Sequence, residues 1–383
     1  MDASTRLPRA APARVLACGA FLKNAACLVD GDRVAWSPQH GDLGEVAACE
    51  ALGRSVEALL AHAGGRIDAV AHDLHPDFRS TRVALALAGR LGVPAVAVQH
   101  HHAHVAAVQA ELGIAAPVAG IALDGVGLGD DGLAWGGELL HVDGGTAAHR
   151  WRRLDHLRPI RLPGGDRAAI EPWRLAAAVL HSVGRGPEIS TRFAPAVGAE
   201  AARTVAALLE HDLRCPPTTA AGRWFDAAAG ALGLCMRQHA EAQAAIALEA
   251  RARAALLAEP DLEAPACGLD LTATVAALLD VDRTDTDAVA RGAARFHLAL
   301  ADGLADAAIR AACAHGLGDV VLGGGCFANR VLLERLSGTL RGAGLRVHAV
   351  PAPRCGDAGI ALGQAWVAAC AVASGIARAA EAA

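Results

Sequence analysis

The chain repeats one order of predicted elements, and this repeat constrains the fold more than any other feature of the sequence. Apolar segments at residues 14–18, 25–29 and 34–37 are separated by glycine-bearing turns, which predicts a three-stranded antiparallel ribbon. The same order of strand, turn and strand begins again over residues 118–154. Because each ribbon must bury one face, a duplicated unit predicts two α/β lobes with a cleft between them.

Helical periodicity and further strands follow each ribbon. We therefore place an N-terminal lobe at residues 14–117 and a C-terminal lobe at 118–375, with a helical insertion at about 168–259 inside the second lobe. Residues 1–13 contain arginines and prolines without an apolar stretch and are predicted to be a disordered tail, and residues 376–383 are predicted to be a second tail.

Four histidines in five residues follow a predicted strand at 95–98, at the start of a predicted helix. The carboxyl ends of strands are where α/β folds bind ligands. His100 and His104 are four residues apart, so they share one helical face and can bind a single metal ion. A polar cluster at a helix start, without any metal, is the alternative. The neighbouring face carries a stripe that we expect to be buried, formed by His101, Val105, Val108 and Leu112.

Two aspartates complete a candidate metal site. Asp124 stands in a predicted turn at residues 124–127, directly after a strand, and Asp357 begins the last predicted helix. Both positions allow a side chain to reach an ion held by His100 and His104. A capping role for Asp357 is the alternative, since aspartate is favoured at helix starts. Two histidines with carboxylates suit iron or zinc better than magnesium.

Three glycine-bearing turns each follow a predicted strand, and together they favour nucleotide binding. Such turns bring backbone N–H groups close to anionic oxygens. The first turn begins at Gly19 and is followed by Lys23, which adds a positive charge, and the second contains Asp124. The third turn, at residues 323–329, links a strand to a helix, which is a usual place to bind a phosphate or ribose.

Charge and composition exclude several classes of partner. A formal net charge of −5 and the lack of a dense basic patch argue against nucleic-acid binding. Apolar runs stay shorter than the roughly 20 residues that a membrane-spanning helix needs, and the first residues do not resemble a secretion signal. The sequence therefore predicts a cytoplasmic protein that contacts neither nucleic acid nor membrane.

Ten cysteines are scattered without a Cys-x-x-Cys pair, which excludes zinc-ribbon patterns and argues against a disulfide framework. Most are expected to be small buried apolar residues. Cys326 and Cys355 lie in glycine-bearing turns, so they are the two whose reactivity should be tested.

A series of short segments, taken in chain order, carries a resemblance to a known family. The segments are GAFLKN (19–24), HGDL (40–43), HDLHPDF (72–78) with Ser80-Thr81, VQHHHAH (98–104), LDGVG (123–127), WGGE (135–138), PGGD (163–166), EPWR (171–174), GRWFD (222–226), GGGCFAN (323–329) and GDAGIALGQ (356–364). Several are short individually, but together they are specific. From about residue 14 to 370 the chain resembles the C-terminal, Kae1-like carbamoyltransferase domain of the HypF family.

This resemblance implies the two-lobed α/β fold of actin, sugar kinases and Hsp70-type ATPases (the ASKHA fold), built from duplicated RNase H-like units. It implies transfer of a carbamoyl group from carbamoyladenylate to the C-terminal cysteine of the partner HypE, for the cyanide ligands of [NiFe]-hydrogenase. It also implies a divalent metal, iron or zinc, and ATP or carbamoyladenylate with magnesium. The implied metal ligands are His100, His104, Asp124 and Asp357, with His100, His104 and Lys23 as catalytic residues. The implied nucleotide contacts are Asp166, Glu171, Asp226, Gly324, Gly325 and Asn329.

The chain also departs from the family pattern. A full HypF carries, ahead of this region, an acylphosphatase-like domain, paired Cys-x-x-Cys zinc motifs and a YrdC-like adenylating domain, which these 383 residues do not contain. We expect a natural short form, which the start at Met1 favours, or a domain of a longer protein. A separate YrdC-like protein would then supply the adenylate.

Two alternative functions stay open at this stage. One is an O-carbamoyltransferase that acts on a small-molecule hydroxyl, for which a closed pocket is expected instead of an open groove. The other is a non-catalytic scaffold that binds a nucleotide, against which the presence of both metal histidines and both aspartates argues.

Overall fold

The structure, a computed structural model, describes residues 2–64 and 66–377, and it contains two mixed β-sheets covered by helices. The strands are β1 (Asp2–Arg6), β2 (Val15–Ala17), β3 (Cys27–Asp30), β4 (Arg33–Trp36), β5 (Ala69–Asp73), β6 (Ala95–Val98), β7 (Val118–Leu128), β8 (Ala134–Val142), β9 (Trp151–His156), β10 (Ile160–Arg161), β11 (Pro217–Thr218), β12 (Asp319–Gly323) and β13 (Arg346–Ala349).

Helices connect these strands and fill the insertion. They are α1 (Val46–His62), α2 (Arg79–Leu91), α3 (His100–Leu112), α4 (Arg167–Ile170), α5 (Trp173–Ser182), α6 (Glu188–Val197), α7 (Ala199–Glu210), α8 (Ala221–Ala231), α9 (Gln243–Ala258), α10 (Thr272–Leu279), α11 (Thr286–His315), α12 (Arg330–Gly342) and α13 (Asp357–Ala373). Short 3-10 turns at Gly145–Ala147 and Gly325–Ala328 complete the regular structure of the described residues.

The two sheets share one plan. In the first sheet, β2, β3 and β4 form an antiparallel ribbon, and β5 and β6 add to it in parallel with β2. In the second sheet, β7, β8 and β9 form the ribbon, and β12 and β13 run parallel to β7. This common order confirms the predicted two-lobed fold with a duplicated β-ribbon unit.

Helix α3 lies between the two lobes. Its Val105 and Val108 pack into an apolar cluster with residues of β7, β8 and β12, and the opposite side of the helix contacts α13. A Cβ on Gly363 of α13 would lie 1.8 Å from the carbonyl oxygen of Ala103, so glycine allows the two helices to approach closely. The histidine helix is therefore held from both sides.

The last helix, α13, packs on a different lobe from the one predicted. The predicted second lobe extends to residue 375, but α13 packs on β2, β3 and β5 of the first sheet. Its apolar residues Ile360, Trp366 and Cys370 belong to the core of the first lobe. The chain thus returns to the first lobe, which brings the start of α13 beside the cleft.

Two local predictions are wrong. The composition of residues 1–13 predicts a disordered tail, but β1 pairs with β4, and Leu7 and Ala11 are buried in the first-lobe core. The free edge of β4 offers backbone partners that composition does not reveal. The predicted turn at residues 124–127 is instead part of β7, which continues through a bulge between Leu123 and Gly127. The hairpin turn lies after Leu128.

The second predicted tail, residues 376–383, lies mostly outside the described residues, which end at 377. Within residues 2–64 and 66–377, each helix lacks either the length or the apolar character that crossing a bilayer would require.

Candidate functional site

Gln99 sets the position of the two central histidines. Its side-chain oxygen accepts a hydrogen bond from the N–H of His102 at 2.8 Å, so Gln99 is the N-cap of α3 and the helix begins at His100. His100 and His104 are then one turn apart, with 4.8 Å between ring centroids. Both residues are 2% exposed. The two rings share one face, as the four-residue spacing predicts.

Two carboxylates from distant parts of the chain face these rings. Asp124 Oδ2 lies 3.1 Å from Nε2 of His100 and 3.4 Å from Nε2 of His104. Asp357 Oδ1 lies 3.6 Å and 3.5 Å from the same two nitrogens. One ligand atom from each of the four residues lies within 4.8 Å of the other three. The structure therefore brings all four predicted metal ligands together.

The donor set fits a divalent cation. Nε2 of His104 is buried and makes no hydrogen bond within the described part of the chain, although it points at both carboxylates. A buried polar atom without a partner is costly, and an ion between the four side chains would satisfy it. Two imidazole nitrogens and two carboxylate oxygens are ligands that zinc and iron accept.

The histidines and aspartates of this cluster stabilise each other's charged forms. Burial disfavours a charged imidazole, but Asp73, Asp124 and Asp357 outweigh burial and raise the pKa of His100 well above its ordinary value. The pKa of His104 is raised as well, because the nearby carboxylates of Asp124 and Asp357 outweigh its burial. Burial would raise the pKa of Asp124, but the two histidines hold that pKa well below its usual range. These shifts in pKa therefore arise from attraction between the imidazoles and the carboxylates.

Asp357 is positioned as a ligand and does not cap α13. The N-cap of that helix is Gly356, which has no side chain, and Asp357 is its first residue. The pKa of Asp357 is lowered because His100 and His104 outweigh both its burial and the repulsion from Asp124. The geometry therefore favours the ligand interpretation over the capping alternative.

We expect Asp357→Asn to weaken metal binding more than it weakens α13, because asparagine is about as favourable as aspartate near a helix start but is a poorer cation ligand. Metal content after dialysis and the melting temperature measure the two effects separately. Full metal content combined with a lower melting temperature would show that Asp357 is only structural.

Lys23 lies at the edge of the cleft and does not join the metal cluster. Its ammonium pairs with Glu241 at 2.9 Å, and both side chains are about half exposed. Burial would lower the pKa of Lys23, but Glu241, Asp357 and Asp124 outweigh it and raise that pKa. The pair joins a loop of the first lobe to the insertion of the second. Lys23 is thus close enough to the site to interact with its charge, and its catalytic role stays a prediction.

The third glycine turn borders the metal cluster. Gly324 has φ of 105°, and a Cβ there would lie 2.2 Å from the carbonyl oxygen of Leu123. A Cβ on Gly325 would lie 3.1 Å from Asp124 Oδ1. The N–H of Gly324 donates to the carbonyl oxygen of Cys355 at 2.7 Å. These contacts place the predicted phosphate turn directly beside the predicted metal ligands.

The predicted nucleotide carboxylates differ in their surroundings. Asp166 is exposed at the start of α4. Glu171 is buried, and its oxygens accept hydrogen bonds from Arg174 at 2.5 Å and from Arg167 at 3.0 Å. Burial would raise the pKa of Glu171, but these arginines hold it below its usual value. Glu171 therefore pairs with two arginines and does not present a free carboxylate.

Asp226 and Asn329 complete the predicted nucleotide set. Asp226 is buried in α8, which raises the pKa of its carboxyl group to about 6 even though Arg223 lies 2.9 Å away. Asn329 is the N-cap of α12, because its Oδ1 accepts from the N–H of Leu332 at 3.0 Å. Its Nδ2 donates to Nε2 of His297 at 3.0 Å. The nucleotide roles of both residues stay predictions.

Gln238 connects several of these groups and is not among the residues predicted from the sequence. Its Nε2 donates to Asp226 Oδ1 at 3.1 Å and to the carbonyl oxygen of Ala169 at 2.7 Å. Its Oε1 accepts from the N–H of Ala244 at the start of α9. Three residues later, Glu241 contacts Lys23. No local pattern marks such a residue, since its partners come from three separate parts of the chain.

His101 is buried as predicted, but the end of its stripe is not. His101 is fully buried, whereas Leu112 is 42% exposed at the end of α3. Burial and the nearby His100 lower the pKa of His101 well below its ordinary value, so the ring is neutral. Its Nδ1 accepts from the side-chain amide of Gln99 at 3.0 Å.

We therefore expect His101→Ala to reduce the free energy of unfolding by about 2–4 kcal/mol, in the range of large-to-small core substitutions. Leu112→Ala, a matched truncation on the same helix, is expected to cost less than about 1 kcal/mol because that side chain is partly solvated. Denaturant unfolding of both variants tests the helix register. Equal losses would show that the register is wrong.

The two cysteines selected for a reactivity test are not activated. Burial raises the pKa of the Cys326 thiol, and it raises the pKa of the Cys355 thiol as well. A protonated thiol is a poor nucleophile. The chain thus offers neither of them as an internal acceptor.

Two family models match the chain. Residues 10–111 match the HypF Kae1-like domain. Residues 120–364 match a carbamoyltransferase, Kae1-like domain, in its second subdomain. Together these matches cover most of both lobes.

Curated relatives carry the same family name. A carbamoyltransferase HypF homolog of Cupriavidus necator is 57% identical over 93% of this chain and 92% of its own length. Carbamoyltransferase HypF2 of the same organism is 47% identical over 95% of this chain and 47% of its own length. HypF of Rhizobium leguminosarum is 41% identical over 91% of this chain and 44% of its own length. The chain therefore spans nearly all of the first relative and about half of the other two.

Solved structures agree with these relatives. Full-length HypF in a phosphate- and nucleotide-bound form superimposes with a TM-score of 0.79 at 28% identity, over 96% of this chain and 47% of that chain. The HypF of T. kodakarensis superimposes with a TM-score of 0.81 at 29% identity, over 97% of this chain and 49% of that chain. Both similarities extend over nearly the whole chain and confirm the predicted fold.

Proposed function

The chain belongs to the HypF family of carbamoyltransferases, and from that premise we propose that it transfers the carbamoyl group of carbamoyladenylate to the C-terminal cysteine of HypE during maturation of [NiFe]-hydrogenase. The observation that carries this proposal is the contact between two predicted sites. Gly325, in the predicted phosphate turn, lies beside Asp124, which also faces both metal-site histidines. An adenylate phosphate on this turn would hold its carbamoyl group next to the four-residue cluster.

The transfer is a substitution at the carbonyl carbon. The acceptor thiolate attacks that carbon, a C–S bond forms, the C–O bond to the phosphate breaks, and AMP leaves with the bond electrons. The nucleophile comes from the acceptor, in keeping with the protonated state of Cys326 and Cys355. A divalent ion, iron or zinc, held by His100, His104, Asp124 and Asp357 would stabilise negative charge that develops on the substrate oxygens.

Other groups of the chain would bind the phosphate, neutralise its charge and close the nucleotide side of the cleft. The Gly324 N–H is engaged with Cys355, so we assign the phosphate contact to the backbone of Gly325. Lys23 carries a positive charge beside the cleft and would neutralise the departing phosphate on release from Glu241. The segment around Gln238 and Asp226 would close the nucleotide side of the cleft.

A direct test supplies the activated substrate. The purified chain, loaded with zinc or iron, is mixed with carbamoyladenylate and a peptide that ends in the cysteine-terminated tail of HypE. We expect the peptide to gain the mass of one carbamoyl group and AMP to be released in equal amount. A peptide that ends in serine is the matched control and should stay unmodified. Modification of the serine peptide or of a small alcohol would instead support an O-carbamoyltransferase, and the absence of any transfer would support the scaffold alternative.

The source of carbamoyladenylate is a separate part of the proposal. We propose that a YrdC-like adenylating protein joins carbamate, released from carbamoyl phosphate, to the AMP portion of ATP with magnesium, releases pyrophosphate, and passes the carbamoyladenylate to this chain. The 383-residue chain is incubated with ATP, carbamoyl phosphate and the cysteine peptide, with and without such a protein. Carbamoylated peptide in both incubations would show that the cleft of this chain performs both half-reactions.

A further inference from the structure

Asp73 lies at the carboxyl end of β5, directly behind the metal-site histidines. It pairs in register with Val98, the last residue of β6, and α3 starts two residues after Val98. Its side chain is fully buried. The parallel register of β5 and β6 therefore delivers a carboxylate to the first turn of the histidine helix.

Both oxygens of this carboxylate have defined partners. Oδ2 lies 2.7 Å from Nδ1 of His100. Oδ1 accepts a hydrogen bond from the backbone N–H of His75 at 2.9 Å. Within the described part of the chain, His100 is the one ionisable side chain that forms an ion pair with Asp73. Oδ2 of Asp73 therefore contacts one ring nitrogen of His100, on the side of the ring away from Asp124 and Asp357.

We propose that Asp73 is a positioning residue that holds His100 with its proton on Nδ1, so that the lone pair of Nε2 faces the cation. A carboxylate can only accept here, so Nδ1 must be the donor. In a neutral imidazole the other nitrogen, Nε2, then has no proton and is free to bind a metal. This inference rests on the cation site used by the proposed function, but its tests do not require carbamoyl transfer.

The turn after β5 does not need the carboxylate oxygen that contacts His100. The hydroxyl of Thr81 donates to the carbonyl oxygen of His75 at 2.9 Å. Nδ1 of His72 lies 2.7 Å from the carbonyl oxygen of Asp73. These contacts use the backbone, and the turn contact of the carboxylate uses Oδ1 alone. Oδ2 is left to orient the ring of His100.

Asparagine at this position would conflict with one partner in either orientation of its amide. If its oxygen accepts from the N–H of His75, its NH2 faces Nδ1 of His100 and favours the tautomer with the proton on Nε2. If its oxygen faces His100 instead, the NH2 opposes the N–H of His75. Asp73→Asn should therefore disturb metal binding although it preserves size.

The first experiment measures zinc affinity by competition with a chelator. We expect Asp73→Asn to weaken zinc binding by about 10- to 100-fold, the usual effect of losing a residue that orients a metal ligand. Asp77→Asn is the matched control, because Asp77 lies in the same turn, is exposed, and pairs only with Arg82 at 3.3 Å among the described residues. That control should bind zinc as the unaltered protein does. Unchanged zinc affinity in folded Asp73→Asn would overturn the proposal.

The second experiment uses the unaltered protein, so it decides the question even if Asp73→Asn does not fold. Two-bond ¹⁵N–¹H correlation spectra of the zinc-loaded protein report the protonation of each ring nitrogen. We expect His100 to carry its proton on Nδ1, with Nε2 bound to zinc. A spectrum with the proton on Nε2 would overturn the inference. The chemical shifts depend on zinc and not on transfer, so failure here is distinct from failure of the proposed function.

Discussion

Replacing His104 with alanine is expected to remove the tightly bound divalent cation and to reduce carbamoyl transfer by at least about 100-fold. The Nε2 atom of His104 points at Asp124 and Asp357 and makes no hydrogen bond within the described residues. The substitution removes one of the four predicted ligands, and it breaks no internal hydrogen bond of Nε2. We therefore expect the metal-free variant to lose less stability than His101→Ala. Metal content after dialysis and the rate of peptide carbamoylation measure the two main effects.

His102→Gln is the matched control on the same helix. Nε2 of His102 lies 2.7 Å from the carbonyl oxygen of Ala148, away from the metal cluster, and a glutamine amide can make the same contact. The control should keep its metal and most of its activity. If His104→Ala retains full activity without metal, the four-residue cluster is not the site of the chemistry.

Much of the fold could be predicted from the sequence because it depends on local patterns. The alternation of apolar segments with glycine turns indicates the antiparallel ribbons, and the helix predicted to start at the histidines is α3. The errors occur where the deciding partner is distant. Residues 2–6 pair with the edge of β4, and β7 continues past Asp124 through a bulge. Periodicity carries no information about either.

For the four metal-site residues as well, some features follow from local pattern and others depend on the tertiary structure. His100 and His104 follow from a helical spacing, so their shared face could be predicted locally. Asp124 and Asp357 are 233 residues apart in the numbering, and only the return of α13 to the first lobe brings them together. Their positions after a strand and at a helix start made both aspartates candidates, and the resemblance to a family implied the same two residues.

The partners of several polar residues could not be predicted from the sequence. Asp73 contacts His100 across 27 positions, and Lys23 contacts Glu241 across 218. Gln238 bridges three separate segments. Each is an ordinary polar residue in a short motif or loop, and its role depends on a register between strands or on packing between lobes.

Two Gly→Ala changes are expected to have opposite effects on the free energy of unfolding. Gly324 has φ of 105°, and an added Cβ would lie 2.2 Å from the carbonyl oxygen of Leu123. Backbone strain and this collision should reduce the free energy of unfolding by about 3 kcal/mol or more. The shift would also displace Gly325 from Asp124, so nucleotide and metal binding should both weaken.

Gly338 lies inside α12, where an added Cβ would have no other atom within 4 Å, and Gly338→Ala should stabilise the protein by about 0.5–1 kcal/mol. Denaturant unfolding of the two metal-free variants, followed by tryptophan fluorescence, gives the sign of each change. Gains for both would mean that the turn at 323–329 does not adopt the conformation that forms the predicted phosphate site.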